Sequence, residues 1–421
     1  MIKMNKFLIL ALLLLVAACA PKKPSGETKT LTENGQSILY VDMDQSRDTI
    51  DFDISALVDS CRVIRLENRP EALIGRVSGM AFTDNRIYLY HQMKYLMSFD
   101  YQGKYREQIG NLGKGPYEYV YLNNLALSEN GSWILGQPHH IDQYIIFNSK
   151  GEGKMLVPRK LGGIPEVMIL NDNQVVEFGY KGIDVENTDD KNISLYIQDF
   201  SGNILLERSP LYLASFYRIG GNFLPISFYR FKDQFHVHFS RDTLFNLNIN
   251  TGSLVPLAVF TASQNGYDYP RIEKELDAGL STSLDYTGKV YAEIHAETPR
   301  YYLIRQMKQQ LGANGDQTPQ AVNYFSVDKK KKTTHPVRLK DSFYGMDLEG
   351  EGNPIPFQHW SIIDNKYGVL NFQAIELKEE IARRLKDPQL SAELKNKLKA
   401  LDSSISQEDN LVLFVYYLKK S

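Results

Sequence analysis

Four glycines close nearly identical turns at a regular interval along this chain. Gly103, Gly151, Gly202 and Gly252 belong to the stretches SFDYQGK, IFNSKGE, QDFSGN and NINTGS, which lie roughly 50 residues apart. Asn, Asp and Gly tolerate the left-handed backbone that a tight β-hairpin requires. Self-similarity at this period is typical of propeller blades and other arrays. We therefore expect each glycine to close the outer hairpin of one blade.

Each repeat reads as four short strands. Aromatic and β-branched residues are grouped in alternating runs between polar turns, and the chain contains 26 Tyr and 20 Phe among 421 residues. Four complete repeats are followed by a fifth, KVYAEIHAE to THPVRL, with a polar insert predicted at Lys308 to Gln320. A sixth begins at WSIID and resumes at Leu411 as LVLFVYYL. The predicted fold is all-β: a six-bladed β-propeller of four-stranded blades.

The sixth repeat lacks its fourth strand within the C-terminal part of the chain. An unassigned strand-like run, CRVIRLE at Cys61 to Glu67, lies near the N-terminus. An open ring would expose apolar faces and unpaired strand edges. We therefore expect the ring to close by pairing this N-terminal strand with the last strand, Leu411 to Leu418.

The N-terminus has the features of a secretory signal. Two lysines precede an apolar run that ends at Ala18 and is shorter than the roughly 20 residues of a membrane span. Small residues lead into Cys19, as in the bacterial lipoprotein signal, where this Cys is lipidated. An ordinary secretory signal is the alternative. Lipidation of Cys19 would leave Cys61 without a partner, so no internal disulfide is expected.

Three segments are predicted along the chain. Residues 1–18 are a lipoprotein signal peptide, residues 19–32 are a flexible tether, and residues 33–421 are the propeller. The tether lacks an acidic stretch, which favours an outer-membrane anchor facing the periplasm over surface display. The formal net charge of −2 argues against nucleic-acid binding.

A glycine-rich stretch, GNLGKGPYEY, covers Gly110 to Tyr119. Its consecutive backbone N–H groups suit a phosphate nest, but no Lys-Ser/Thr pair follows and a strand rather than a helix comes next. We expect instead a tight loop between blades, in which Glu118 accepts backbone N–H bonds and Tyr119 packs between blades.

The stretch, the recurring turns, the lipoprotein signal and the Tyr-Leu-Lys tail resemble the six-bladed β-propeller lipoproteins of gut Bacteroidetes. The motif G-x-G-P-x-E-Y is matched by Gly113, Gly115, Pro116, Glu118 and Tyr119. The resemblance implies a propeller in the cell envelope, often beside glycan-uptake systems. It implies no reaction.

Metal and catalytic signatures are weak. His236 and His238 alternate on one strand and face the same side, but no third ligand is marked by spacing. The acidic runs VDMDQSRD and FTDN lack the pattern of a calcium loop, so no cofactor or metal is predicted, with calcium the one ion left open. No G-x-S-x-G elbow is present, and no catalytic residue is predicted.

The sixth repeat carries a long insert, predicted at about residues 376–410. It reads as two helices, the second starting with Asp387 as N-cap and Pro388 in the first turn. Their apolar stripes must pack on each other or on the propeller, and a surface excursion is the alternative. Further segments predicted on the same face are 137–140, 181–190, 240–242 and 297–300.

The predicted ligand-binding residues are polar or aromatic and lie near the inner strands or on that face: Tyr117, His139, His140, Arg218, Arg230, Arg241, His359 and Trp360. Trp360 is the first to test, because an aromatic ring can cover a sugar face. Burial in blade six is the alternative.

The predicted function is a lipid-anchored binding or interaction module of the cell envelope. Its expected partners are the membrane, through Cys19, and a glycan or an outer-membrane protein. A glycan hydrolase or lyase with its site at the channel mouth, and a structural subunit of an outer-membrane assembly, are the alternatives.

Overall fold

The computed structural model describes residues 28–33, 36–46, 48–92, 94–162, 165–180, 192–213, 218–219, 222–223, 227–238, 242–266, 288–311, 317–349 and 360–420. Four strands precede the first blade: β1 (Lys29–Glu33), β2 (Gln36–Asp42), β3 (Ile50–Asp53) and β4 (Val58–Arg65).

Blades one to three follow in chain order. Blade one contains β5 (Val77–Phe82), β6 (Ile87–His91), β7 (Tyr95–Phe99) and β8 (Tyr105–Gln108). Two short strands, β9 (Asn111–Leu112) and β10 (Glu118–Tyr119), lead to blade two, which contains β11 (Leu122–Leu127), β12 (Trp133–Pro138), β13 (Gln143–Asn148) and β14 (Gly153–Pro158). Blade three contains β15 (Glu166–Asn171), β16 (Gln174–Tyr180), β17 (Asn192–Asp199) and β18 (Ile204–Leu213).

Blades four to six complete the ring. The short strands β19 (Arg218–Ile219) and β20 (Asn222–Phe223) precede blade four, which contains β21 (Ser227–Phe231), β22 (Gln234–His238), β23 (Thr243–Asn248) and β24 (Ser253–Thr261). Blade five contains β25 (Val290–Glu297), β26 (Tyr301–Leu311), β27 (Gln317–Asp328) and β28 (Thr333–Lys340). Blade six contains β29 (Ser361–Ile363), β30 (Tyr367–Phe372), helices α1 (Ala374–Leu385) and α2 (Ala392–Ser404), and β31 (Val412–Leu418).

The predicted six-bladed ring is confirmed, and it closes as expected. Strand β31 pairs with β30 on one side and antiparallel with β4 on the other, so that Val63 lies opposite Phe414. The N-terminal strand thus becomes the outermost strand of blade six. Its pairing removes two open edges at once.

Two further N-terminal segments extend other blades. Strand β3 runs parallel to β28 at the outer edge of blade five, and β2 runs parallel to β24 at the outer edge of blade four, with β1 beyond it. The tether predicted at residues 19–32 was therefore too long, because Lys29–Glu33 pairs with Gln36–Tyr40. Backbone pairing with a neighbouring strand orders a segment that has little to bury.

The four turn glycines have the conformation that their spacing predicted. Gly103, Gly151, Gly202 and Gly252 have φ angles of +81°, +74°, +87° and +69°. A side chain at Gly103 would also collide with the backbone of blade six, since its Cβ would lie 1.8 Å from the carbonyl oxygen of Arg65. Blade five departs from the pattern by placing Lys332 at φ +55° in the corresponding turn.

The meander order gives the propeller two different ends. One end, the turn face, holds two turns of each blade: the turn between the first and second strands and the turn between the third and fourth strands. In blade five the backbone hydrogen bond from Lys329 N to Arg300 O joins these two turns. The loop face holds the connections between second and third strands and between blades. Residues 297–300 connect β25 to β26 and so lie on the turn face, not on the loop face as predicted, because the first two strands of the blade meet there.

The helices of blade six form part of the core. Leu377, Ile381 and Leu398 are fully buried in a cluster that also contains Trp360 and Phe414. Of the two possibilities, packing on the propeller is the one observed, and the alternative of a surface excursion is wrong. The second helix begins later than predicted: the N-cap is Ser391, whose hydroxyl accepts a hydrogen bond from Leu394 N at 3.2 Å, and Asp387 lies in the connection.

The insert predicted in blade five is largely a longer hairpin. Strands β26 and β27 stay in register from Lys308 opposite Gln320 to Leu311 opposite Gln317. Polar side chains do not end a strand whose backbone groups remain paired. Within the described residues, no helix is long and apolar enough to cross a membrane.

Candidate ligand site in the central channel

The first strands of the six blades, β5, β11, β15, β21, β25 and β29, surround the central channel. A cavity of about 340 Å³ lies between the inner strands of blades three to six. Its lining includes the charged and polar residues Glu166, Tyr229, Glu293, Arg305, Asp364 and Asn365. A concave site with a few polar groups in its lining has the general features of a ligand pocket.

Glu166 is the first residue of β15. Protein atoms surround its carboxyl group, and the loss of hydration raises its pKa to about 7. At neutral pH this carboxyl group is therefore present in both the protonated and the ionised form.

Glu293 and Arg305 form an ion pair in the channel wall. They stand opposite each other on β25 and β26, with Arg305 Nη2 donating to Glu293 Oε1 at 2.8 Å. Burial tends to lower the pKa of Arg305, but the neighbouring Glu293 carboxylate outweighs this effect, and the net shift of that pKa is upward. The pair fixes one acidic and one basic group beside the cavity.

Asp364 and Asn365 follow the inner strand of blade six in left-handed conformations, with φ angles of +53° and +50°. Asn365 holds this turn by accepting from Glu297 N at 2.8 Å and donating to Glu297 O at 3.0 Å. Asp364 reaches solvent inside the channel, yet surrounding protein raises the pKa of its carboxyl group despite nearby Lys366 and Arg230. Strained backbone of this kind clusters at functional sites.

An ion pair crosses the channel near the turn face. Arg230, near the end of β21 in blade four, contacts Glu129 in the first turn of blade two. The guanidinium also lies 5.0 Å from the centre of the Phe235 ring. Because blades two and four are not neighbours in the ring, this pair links opposite parts of the channel wall.

A buried cluster between blades four and five lies beside the channel. Glu297 accepts from Tyr229 Oη at 2.8 Å and from Lys329 Nζ at 3.0 Å, and its Oε2 lies 2.7 Å from His236 Nδ1. Burial tends to raise the pKa of Glu297, but these partners outweigh it and the pKa is lowered. His236, one of the two strand histidines, is therefore a structural residue of this cluster.

The other strand histidine, His238, is fully buried, and neither ring nitrogen has a hydrogen-bond partner among the described residues. Desolvation lowers its pKa to about 4, so the ring is neutral at physiological pH. Within the described ranges no group of three or more His, Cys, Asp or Glu side chains is arranged to hold a metal ion. The acidic run at residues 41–48 uses Asp42 and Asp44 to accept backbone N–H bonds from residues 263–265.

Few of the predicted site residues lie together. Arg230 lies in the channel wall, whereas Trp360 is completely buried, with ring centroids 5.6 Å from His295 and 6.0 Å from Tyr416. The proposal of a sugar-stacking Trp360 is therefore wrong. Tyr117 packs over Gly153 on the outermost strand of blade two, away from the channel.

The remaining candidates are scattered. His139 is exposed on the loop face and stacks on Tyr121, with ring centroids 4.4 Å apart, and His140 beside it is partly buried. Arg218 belongs to β19, but its side chain lies outside the described residues, as do Arg241 and His359. Glu166, Glu293 and Asp364 were missed by the sequence interpretation, although a charged residue interrupting an inner strand is a usable signal.

The glycine-rich stretch is the predicted inter-blade loop. Glu118 Oε2 accepts from Gly115 N at 2.9 Å, and the buried Tyr119 donates to Ile109 O at 2.8 Å. A Cβ at Gly113 would lie 1.9 Å from Glu118 Oε2, so a larger residue there would displace this carboxylate. The backbone N–H of Gly115 is thus used by this carboxylate, and no phosphate nest is needed to account for the stretch.

Residues 39–417 match the family described as a domain of unknown function, DUF4934. The chain belongs to this family. An exported protein of Bacteroides fragilis is structurally similar, with 17% identity, a TM-score of 0.60, and coverage of 88% of this chain and 100% of that one. A DUF4221 family member from Bacteroides vulgatus has 13% identity, a TM-score of 0.47, and coverage of 87% and 98%. No curated protein matches the chain.

Proposed function

We propose that this DUF4934 protein is a cell-envelope binding module whose ligand occupies the central channel. The observation that carries the proposal is the cavity of about 340 Å³ with Glu166, Glu293 and Asp364 in its lining. The similar exported protein of Bacteroides fragilis supports an extracytoplasmic location. Lipid on Cys19 would hold the protein at the membrane, facing the periplasm.

The lining favours a small ligand rich in hydroxyl or amine donors. Carboxylates accept several hydrogen bonds each, and the serine side chains of the lining add further polar groups. The raised pKa of Glu166 reflects the poor hydration of its carboxylate between the inner strands. Ligand donors would supply the missing hydrogen bonds, and an oligosaccharide provides many of them.

A glycan array followed by calorimetry tests the proposal. We expect Glu166→Gln and Glu293→Gln to weaken binding of a selected oligosaccharide by about tenfold or more, the loss of a charge-assisted hydrogen bond. Glu152→Gln is the matched control, because Glu152 is an exposed carboxylate on the outer part of blade two. Equal affinity for the channel variants and the control would refute channel binding.

The pH dependence gives a second readout. If the ionised form of Glu166 accepts ligand donors, affinity should rise between about pH 6 and pH 8, as this carboxyl group loses its proton. The rise should be absent in Glu166→Gln. A pH profile unaffected by that substitution would exclude Glu166 from the site.

Hydrolysis of a glycan is a second candidate. Glu166 is partly protonated at neutral pH, as a general acid requires, and Glu293 lies in the same cavity, paired with Arg305. Release of reducing ends from a bound oligosaccharide would establish this activity. Glu166→Gln should then abolish turnover while the protein still binds, whereas a pure binding module shows no release in either form.

An assembly role has its own support on the loop face. Leu73, Leu112, Tyr117, Val120 and Ile375 are exposed large hydrophobic residues, and all belong to connections at that end. Contiguous exposed apolar patches mark protein contacts, and the segments that carry Leu73 and Ile375 are in contact, because Gln373 Nε2 donates to Ile74 O at 3.1 Å. If they contact an outer-membrane partner, Leu73→Ser with Ile375→Ser should release that partner from the affinity-purified lipoprotein. Retention of the partner would count against this role.

A further inference from the structure

The outer turn of blade five carries four consecutive lysines, Lys329 to Lys332. Lys329 points inward to Glu297, with its ammonium group 4.3 Å from the centre of the Tyr302 ring. Lys330, Lys331 and Lys332 are exposed, and among the described residues none of these three forms an ion pair with a carboxylate. We call these three residues the lysine turn. Exposed Lys29 lies on the neighbouring N-terminal segment.

This turn keeps the left-handed backbone of the other blades but not their glycine. Four blades place glycine at positive φ in the corresponding turn, whereas blade five places Lys332 there at φ +55°. Asp328 stabilises the turn by accepting from Lys330 N at 3.0 Å and Lys331 N at 2.9 Å. Glycine adopts this conformation more readily than lysine, so formation of the turn alone does not account for Lys332.

The N-terminal segment enters the fold at the lysine turn. Thr28 N donates to Lys332 O at 3.2 Å, and Thr28 Oγ1 lies 2.7 Å from Thr334 Oγ1. Eight residues separate Thr28 from Cys19, and a chain of this length spans at most about 30 Å. A lipid on Cys19 would therefore keep the lysine turn close to the bilayer.

We infer that the lysine turn is a membrane-contact surface for anionic phospholipid headgroups, which sets the orientation of the propeller. This inference rests on the proposed lipid anchor at Cys19. Lysines near an anionic bilayer add attraction to that of an acyl anchor. The turn face would then point to the membrane, and the loop face, with the helices of blade six, would point away from it.

Vesicle sedimentation with the unlipidated Cys19→Ala chain tests the turn separately from the anchor. Vesicles contain phosphatidylcholine alone or with about one third phosphatidylglycerol, at low salt. Replacing each residue of the lysine turn should weaken binding to the anionic vesicles about fivefold, and replacing all three should weaken it on the order of 100-fold. The test variant is Lys330→Gln, Lys331→Gln and Lys332→Gly, in which the last change restores the glycine of the other blades.

The matched control removes the same charge from the opposite face. Lys386, Lys397 and Lys399 are exposed on the helical insert, and their replacement by Gln should leave vesicle binding unchanged. Equal binding by the test and control variants, or no preference for phosphatidylglycerol, would overturn the inference. Competition by inorganic phosphate beyond the effect of ionic strength would also overturn it, because it would indicate a site for a free anion.

The lipidated protein tests the orientation itself. A fluorophore on Lys331→Cys should be quenched by spin-labelled lipid, whereas one on Lys397→Cys should not. The reverse pattern would overturn the proposed orientation. A wrong assignment of the lipid anchor would give a different result. The Cys19→Ala chain would then remain in the membrane fraction of cells, while the lysine turn would still bind anionic vesicles.

Discussion

Ile381 tests whether the helices of blade six hold the propeller together. Its side chain is fully buried in the cluster that contains Trp360 and Phe414, whereas Ile375 on the same helix is 49% exposed. Truncation of a buried isoleucine to alanine costs about 2–5 kcal/mol, from lost transfer free energy and the cavity left behind. Exposed substitutions usually stay within about 0.5 kcal/mol. Ile381→Ala should therefore remove a large part of a total stability of about 5–15 kcal/mol.

Urea unfolding followed by circular dichroism measures this difference. Ile381→Ala should lower the unfolding midpoint markedly, while Ile375→Ala, with the same change in chemistry on the same helix, should not. Replacing the whole insert by a Gly/Ser turn should be more severe, because Leu377 and Leu398 are buried as well. Equal midpoints for the two isoleucine variants would refute the conclusion that the insert belongs to the core.

Three further outcomes can be measured. Cysteines at Val63 and Phe414, which face each other across the closing strands, should crosslink in the folded protein, and failure to crosslink would contradict the ring closure. The folded-state pKa of His238 is lowered to about 4. The free energy of unfolding should therefore decline by up to about 3 kcal/mol as the pH falls from about 6.5 toward 4. His238→Leu should flatten this decline, whereas substitution of the exposed His139 by Gln should not. Cys19→Ala should release the protein from the membrane fraction, and unchanged fractionation would exclude the lipid anchor.

The ring was predictable because its determinants are local. Turn chemistry at Gly103 and its three counterparts repeats at a fixed interval, and alternating apolar residues mark the strands between these turns. The partner of the last strand, β31, was predictable because an unpaired strand edge is unfavourable and the N-terminal run at Cys61 to Glu67 was the strand left without a neighbour. The N-terminal hairpin on blade four was not predictable, because Lys29–Glu33 carries few apolar residues and is ordered by backbone pairing.

The channel site was less predictable because it depends on strand direction and register. Glu166, Glu293 and Asp364 are far apart in sequence and meet only because the first strand of every blade faces the axis. Trp360 was misassigned for the same reason: its position at the start of blade six was correctly recognised, but the packing of Tyr416 around it was not visible in the sequence. Residue type alone therefore favoured the wrong aromatic.

The repeats differ from one another mainly at the two ends of the propeller. Blade five replaces the turn glycine by Lys332 on the turn face, and blade six adds its helices on the loop face. Strand interiors cannot vary in this way, because their side chains pack between blades, whereas connections change without disturbing that packing. The acidic channel lies along the axis between these two ends. Since the lysine turn is built from the outermost part of blade five, it can change without altering the inner strands. We therefore expect the proposed membrane contact and the proposed ligand binding to be separable by mutation.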